Sequence, residues 1–384
     1  MKKFLDCISI VGATPSKFHG TKKYISTGAV ATTEIDESEV VEVTYEDRPS
    51  RANLSAEAGD ILFAKMQGTR KTLLLDSETE KNIYSTGFYA VRANPEVITT
   101  ECLYYLIDSE LFLAQKDKNC SGATQKAITN GGMAKIEISV PPLSEQGILV
   151  DKLKHLTQLI ADKKKQLNLF DEIIKSRFIE MFGDPKLNPR KWDMVTIGDI
   201  ATDVRYGTSR PATEGGKYPY LRMNNLTYEG HLDLTDLKHI DIPDNEIEKC
   251  VVRNGDVLFN RTNSVELVGK TCVYNLDSDM IIAGYIIRVR IDDRVLPVIL
   301  SSYLNSTVMK EQLRSMAKGA VNQANINAQE LRSISIYLPP ITLQHEFATF
   351  VEQVDKSKFY IVQMQILLRL LIRAIQQKTT EVLL

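Results

Sequence analysis

From residue 143 to residue 182 the chain repeats apolar side chains at alternating steps of four and three. The positions are Leu149, Leu153, Leu156, Ile160, Lys163, Leu167, Phe170, Ile174, Arg177 and Met181, eight of ten apolar. The same frame returns 198 residues later as Phe347, Val351, Val354, Lys358, Ile361, Gln365, Leu368, Ile372, Ile375 and Thr379, seven of ten apolar. Sustained spacing of this kind predicts a coiled-coil seam, in which apolar knobs of one helix enter holes on another. Two seams in one chain can bury each other. Ser144 and Thr342, each just after a proline pair, are the expected N-caps, while Gly183 in MFGDP suits a left-handed C-terminal position and Pro185 stops the first helix. A helix of about 40 residues runs about 60 Å, longer than a domain of this size can cover. That length argues against two independent amphipathic helices, each lying on its own domain.

Outside these helices the pattern shortens to strands. The runs ILFA, YAVRA, KIEISVP, VLFN, KTCVYN, YIIRVRI and RSISIYLP are separated by Gly, Asn, Asp and Pro, with short helical stretches at 101–115 and 297–316. Much of this is written twice. GDILF at 59–63 returns as GDVLF at 255–259, VPPLSEQ at 140–146 as LPPITLQ at 338–344, and TQKAI at 124–128 as NQANI at 322–326, at offsets of 196, 198 and 198. Tyr24 and Tyr220 each precede their GD strand by 35 residues, and Tyr105-Leu106 matches Tyr303-Leu304. Ordered anchors at near-constant offset identify an internal repeat. The expected fold is α+β, two similar mixed-sheet domains at 1–142 and 184–340 separated by two long helices, at 143–183 and 341–384, that form an antiparallel coiled coil.

Polar residues gather where the strands end. After GDILF come Lys65, Gln67, Thr69, Arg70 and Lys71; after GDVLF come Asn260, Arg261, Thr262 and Asn263. A second loop precedes each terminal strand, with Thr124, Gln125 and Lys126 in SGATQK and Asn322, Gln323 and Asn325 in KGAVNQAN. The second copy adds Thr208, Ser209 and Arg210 in YGTSR, and Arg222 with Asn224 and Asn225. Arg and Lys can contact guanine O6 and N7, and Asn or Gln pairs with adenine through two hydrogen bonds, so these are candidate DNA-contacting side chains. The polar types recur at matching places in both copies while the individual side chains differ.

Composition narrows the function. At 384 residues and 43% apolar content the chain can build two cores. No uninterrupted run approaches the roughly 18 apolar residues of a membrane span, and MKKFLDCIS has no apolar signal stretch, so a cytoplasmic protein without a membrane partner is expected. Five cysteines, with no CxxC pair or nearby histidine pattern, read as ordinary buried thiols. With 47 basic and 49 acidic residues the net charge is −2, so phosphate attraction alone would not hold DNA to this chain. The acidic residues Glu34, Asp36, Glu37, Glu39, Glu42, Glu46 and Asp47 read as a solvated surface facing away from nucleic acid. Catalytic signatures are missing: SVELVGKT at 264–271 has Ser264 in place of the first Walker A glycine, and no ExK, GxSxG or HExxH motif occurs. The five histidines are scattered, and neither a metal site nor a catalytic residue is expected.

Taken together, these motifs resemble the specificity (S) subunit of a type I restriction-modification system. The resemblance rests on GD[IV]LF, on SGATQKAI at 121–128, on a strand ending in PPLSEQ, on the long helix ending F-x-x-MFGDP-x-x-N, and on W-x-x-V-x-I-G-D-I at 192–200. It implies two target-recognition domains held apart by paired helices and a non-catalytic role, reading a bipartite, asymmetric DNA target. Two adenine methyltransferase (M) subunits would dock on the helices and bind S-adenosylmethionine, restriction (R) subunits could join, and this chain would carry no cofactor. The sequence departs from the pattern where the second helix lacks MFGDP, where no tryptophan-led strand opens the first domain, and where the second polar loop is one residue longer. Two other classes stand beside this reading: a coiled-coil scaffold presenting two domains to protein partners, and a self-contained enzyme, against which the missing motifs argue.

Overall fold

A computed structural model describes residues 1–320 and 323–381. The chain divides into two compact units, residues 1–164 with the chain from 362 onward, and residues 165–361. Both units are α+β with mixed sheets. In the first, Ile8–Val11, Phe88–Ala93, Ile61–Ala64 and Thr72–Leu74 form an antiparallel sheet in that order. A second sheet orders Val41–Val43, Lys22–Ile25, Ile83–Ser85 and Ala52–Leu54, its central pair parallel with Tyr24 opposite Ile83. The second unit repeats both sheets: Ala201–Tyr206, Ile286–Ile291, Val257–Asn260 and Thr271–Val273, then Lys238–Ile240, Tyr218–Leu221, Met280–Ile282 and Val251–Val252 with Tyr220 opposite Ile281. Tyr24 and Tyr220, singled out by their spacing, therefore hold the same sheet position.

The GD motif has a physical cause in each copy. Gly59 and Gly255 have φ of +86° and +91°, the left-handed region that favours glycine. Asp60 and Asp256, nearly fully buried, each accept a backbone N–H at the turn, from Glu57 (2.8 Å) and Arg253 (2.9 Å). Each is also paired with an arginine of the neighbouring strand, Arg92 at 2.6 Å and Arg290 at 2.8 Å. The following strand is apolar throughout because both its faces are covered. Ile61 and Phe63 enter one core with Phe4, Cys102, Leu103 and Phe112, whereas Leu62 and Ala64 enter another with Leu73, Tyr84 and Phe88. Val257 and Phe259 separate from Leu258 in the same way. A period of two explains the split.

The long helices run Leu143–Phe182 and Ile341–Glu381. Every one of the ten heptad positions on the first is buried or half-buried, as are all nine described on the second; the Thr379 side chain lies outside the described residues. Within the first unit the two helices pair antiparallel, with Gln365 donating to the Ile160 carbonyl at 3.4 Å and Leu371 and Ile375 facing Ile148 and Leu156 across a groove. Within the second unit they pair in the same sense, Phe347 meeting Phe178 and Phe182 with ring centroids 5.5 Å away, and Lys358 binding Asp171. The first helix ends as expected. Gly183 takes φ +85°, a Cβ there would fall 2.5 Å from Pro189, and Tyr337 donates to its carbonyl at 2.9 Å.

One expectation needs correction, and two features add to the reading. The helices start at Leu143 and Ile341, so Ser144 and Thr342 lie in the first turn rather than at the N-cap. The entry is held instead by Gln146 and Gln344, both fully buried, which bond the Pro141 and Pro339 carbonyls and accept from the Thr99 and Leu296 amides at 2.8 Å. The first unit does have an opening strand, Lys2–Lys3, paired with Glu137–Ile138 as Asp193–Thr196 pairs with Ser335–Leu338; with two residues and no tryptophan it leaves little trace in sequence. Finally, Ile341–Gln377 holds an 18-residue stretch of mean hydropathy 1.3, apolar enough by length and composition alone to cross a membrane. Counting uninterrupted runs misses it because Gln363, Gln365, Arg369 and Arg373 interrupt the apolar residues along the helix.

Candidate nucleic-acid interface

In the first unit the two polar loops are brought together by backbone hydrogen bonds. Lys65 donates its amide to the Gly87 carbonyl and accepts from Ile128, both at 2.9 Å, and the Gln67 amide reaches Lys126 O at 3.0 Å. Ser121 and Ala127 exchange amide bonds, closing 121–127 into a tight loop. Gly122 is required there, since at φ +136° an added Cβ would stand 2.4 Å from the Gln125 carbonyl. From beneath, the buried Lys116 donates to Met66 O (2.7 Å) and Thr69 O (2.9 Å), fixing the loop that follows the strand. A buried ammonium replaces its water with carbonyls.

Side chains on this edge divide into two groups. Thr124, Gln125 and Lys126 are exposed, and so is Gln67, whose amide donates to Asp117 O at 3.2 Å. Lys65 lays its ammonium 4.3 Å from the centre of the Tyr89 ring, and burial lowers its pKa. The others turn back to the protein. Arg70 forms a two-pronged pair with Asp108 at 3.0 and 2.8 Å, Lys71 donates to Thr27 O, and Thr69 makes a long 3.5 Å bond to Gln67 O. The seven acidic residues between 34 and 47 are exposed.

The second unit rebuilds the same edge with other side chains. Arg261 donates its amide to Tyr285 O and accepts from Ile326, each at 2.9 Å, and Thr262–Asn263 pairs with Gln323–Asn325. The Thr262 hydroxyl donates to the Asn325 side chain at 2.9 Å, and Asn263 accepts from the Ser264 amide at 2.9 Å. Lys310 takes the role of Lys116, donating to Gly269 O at 2.9 Å; burial, then the charges of Lys270 and Arg314, push its pKa down to about 7. The Arg261 guanidinium lies 4.9 Å from the centre of the Tyr206 ring at an open cleft of about 490 Å³. Tyr206, Thr208, Ser209, Glu246, Lys249 and Arg261 line that cleft.

Several predicted residues are not available on this edge. Asn260 is fully buried with neither polar side-chain atom bonded, because it is the last residue of a strand covered on both faces; it is removed from the contact set. Thr208 is also buried, and its hydroxyl accepts from the Arg210 amide at 3.2 Å, so it shapes the turn. Arg210 pairs with Glu246 at 2.7 Å and Arg222 with Asp236 at 2.6 Å, while Ser209 and Asn224 are exposed. Asn322 and the Gln323 side chain lie outside the described residues. Sequence reasoning missed Tyr89 and Tyr206 as platforms and the buried Lys116 and Lys310. A signal was present, since the two lysines recur 194 residues apart, but lysine usually reads as surface. Among the described residues no group of His, Cys, Asp and Glu is arranged to hold a metal ion.

Comparison with known proteins matches this duplicated frame. A family model described as Type I restriction modification DNA specificity domain matches residues 10–169 and again 189–370. The specificity subunit of the type I restriction enzyme EcoKI from Escherichia coli K12 is 25% identical over 284 residues, 70% of this chain and 61% of that one. The StySPI specificity subunit of Salmonella potsdam is 24% identical over 313 residues, 77% of this chain and 67% of its own. The chain thus spans about 61% of the length of the first of these relatives. A chain from a structural study of complex assembly and conformational transition in the type I R-M system shares the fold, with TM-score 0.54, 22% identity and 97% of each chain covered. Two matches of the model, one on each repeat with its helix, establish that this chain belongs to the type I restriction-modification DNA specificity family.

Proposed function

We propose that the chain is the DNA-recognition subunit of a type I restriction-modification assembly, itself without catalysis, reading a bipartite target whose two blocks differ. The observation that carries this reading is the loop edge built twice on one frame with different side chains. In each unit a cation is held over a tyrosine beside a second polar loop, Lys65 with Gln125 and Lys126 in one, Arg261 with Asn325 in the other. A repeated frame with unlike edges is suited to two unlike half-sites.

Near-neutral charge fits a division of labour in which phosphate contacts come mainly from partners and base choice from this chain. The partners in this reading are two adenine methyltransferase subunits, which bind S-adenosylmethionine, and optionally restriction subunits, in the cytoplasm. Support for docking on the helices comes from apolar residues left outside the seam. Met364, Ile366, Leu367, Leu370 and Leu371 are each 45% or more exposed in the first unit, and Phe359 and Tyr360 are 60% and 70% exposed in the second. A stripe of that kind is suited to contact with a partner's apolar surface.

Mapping methylated adenines by long-read sequencing, in the host with and without this gene, tests the reading. The expected result is a gapped motif that disappears with the gene. Replacing residues 184–338 by a relative's equivalent should change one half of the motif only. Loss of no motif, with purified chain retaining no specific DNA, would leave a protein scaffold as the better account.

A further inference from the structure

Four arginines and three lysines stand at the polar edges of the two units; Lys126 is exposed on the second loop of the first unit, and the geometry separates the others. Arg70, Arg210 and Arg222 each point their guanidinium at a carboxylate, of Asp108, Glu246 and Asp236, within 2.8 Å. Lys71 is committed to a carbonyl. Lys65 and Arg261 differ. They occupy the same place, directly after the residue that ends the GD strand, and each is pinned by an amide bond on both sides. In each the cationic head rests on a tyrosine ring rather than on an anion. For Arg261 the Nε is buried without a partner. Stacking on a ring holds a guanidinium flat and leaves its in-plane donors to meet two acceptors lying side by side.

Two sources in DNA offer such a pair: the O6 and N7 edge of guanine, and a backbone phosphate. An aromatic platform favours the base, since the ring that carries the Arg261 head can also meet a base face, while Glu246 in the same cleft is held by Arg210 through both oxygens and decides nothing between the two. Building on the recognition reading above, we infer that the position after each GD strand is the specificity-determining one, Arg261 selecting a guanine in one block by a two-pronged contact and Lys65 a guanine in the other by a single contact. The ion-paired arginines then shape the edges without choosing bases. The tyrosines are positioning residues.

The test uses the full chain assembled with its methyltransferase subunits, assayed against a library of randomised DNA sites. Arg261→Gln should relax or change one position of one block, lowering guanine preference there by roughly tenfold or more. Arg261→Lys should retain part of that preference, since lysine keeps the charge but loses the fork. Lys65→Gln should act on one position of the other block, and Arg70→Ala should change no position. Co-purification with the methyltransferase and an unchanged melting temperature establish that each variant is folded. An unchanged motif for Arg261→Gln overturns the inference. So does uniform weakening on all sequences with a salt dependence lower by about one charge, which identifies a phosphate contact. A wild-type assembly that selects no gapped sequence overturns the recognition reading as well.

Discussion

The two units share several buried polar contacts and differ where a long helix meets the globular body. Asp60 with Arg92 and Asp256 with Arg290, and Gln146 and Gln344, are the same contact made twice, and Lys116 and Lys310 are buried lysines that each bond loop carbonyls. In the second unit, however, the helix end docks through aromatic rings: Phe178 and Phe182 stand 5.1 Å apart, Phe347 packs on both, and Tyr337 stacks on Phe178. In the first unit the position equivalent to Phe178 is Gln376, which donates to Tyr105 O at 3.1 Å, and nearby Arg373 pairs with Glu110. Buried polar bonds that hold the GD turn and the helix entry specify one geometry and recur, whereas the buried Arg288–Asp203 pair of the second unit has Ala90 at the matching place in the first. An apolar contact can be exchanged for a polar one of the same shape, so docking diverges.

The largest test of that difference is Phe178→Ala. Phe178 is 1% exposed, and truncating a buried phenylalanine typically costs about 3–5 kcal/mol. Hydrogen exchange followed unit by unit should show the second unit losing protection and the first keeping it. Gln376→Ala, the matching change, should cost about 1 kcal/mol, the scale of a hydrogen bond. Equal losses would mean that the aromatic cluster is not what holds the helix end.

The shared contacts give the opposite expectation. Arg92→Met and Arg290→Met each strand a buried aspartate acceptor and should each cost about 1–3 kcal/mol. Similar values in the two units would sharpen the repeat; a cost in one unit alone would break it.

How much of this was legible depended on periodicity. The seam was readable because ten positions obey one period, and even Lys163, Arg177, Lys358 and Gln365 stay at least half-buried in it. GD[IV]LF was readable because it occurs twice. Strands such as Ala52–Leu54 or Val41–Val43 are three residues long, too short for any period to show. At the candidate site the loops were legible by their polarity and the partners of their side chains were not. Asn260 reads as a polar loop residue, and only the packing of both strand faces places it inside. Arg70, Arg210 and Arg261 look alike in sequence; the carboxylates that separate them lie 36 or more residues away from the first two.

Lys310 gives the comparison a pH axis. Its pKa lies near 7 in the folded chain, below the usual lysine value of about 10.4, because burial disfavours the charge. Between those two values the unfolded chain binds the proton and the folded one does not, so stability should rise with pH above 7, by about 1.4 kcal/mol per pH unit at most. Below pH 7 both states are protonated and the contribution is flat. Lys310→Met should flatten the profile of the second unit between pH 7 and 9, measured by denaturation at each pH. A slope that survives the substitution would assign the titration to another group.

The smallest effect is expected from Arg373→Ala in the first unit. Its pair with Glu110 has side chains 52% and 50% exposed, so water screens the attraction and both long side chains lose freedom in making it. A change of about 0–1 kcal/mol follows, diminishing with added salt. The attachment of the second helix in this unit would then rest on the seam itself, where Leu156 faces Leu371 and Ile375, and not on its polar contacts. If Arg373→Ala instead released the helix, the polar pair would be the equivalent of the aromatic cluster, and the two docking modes would differ in chemistry without differing in strength.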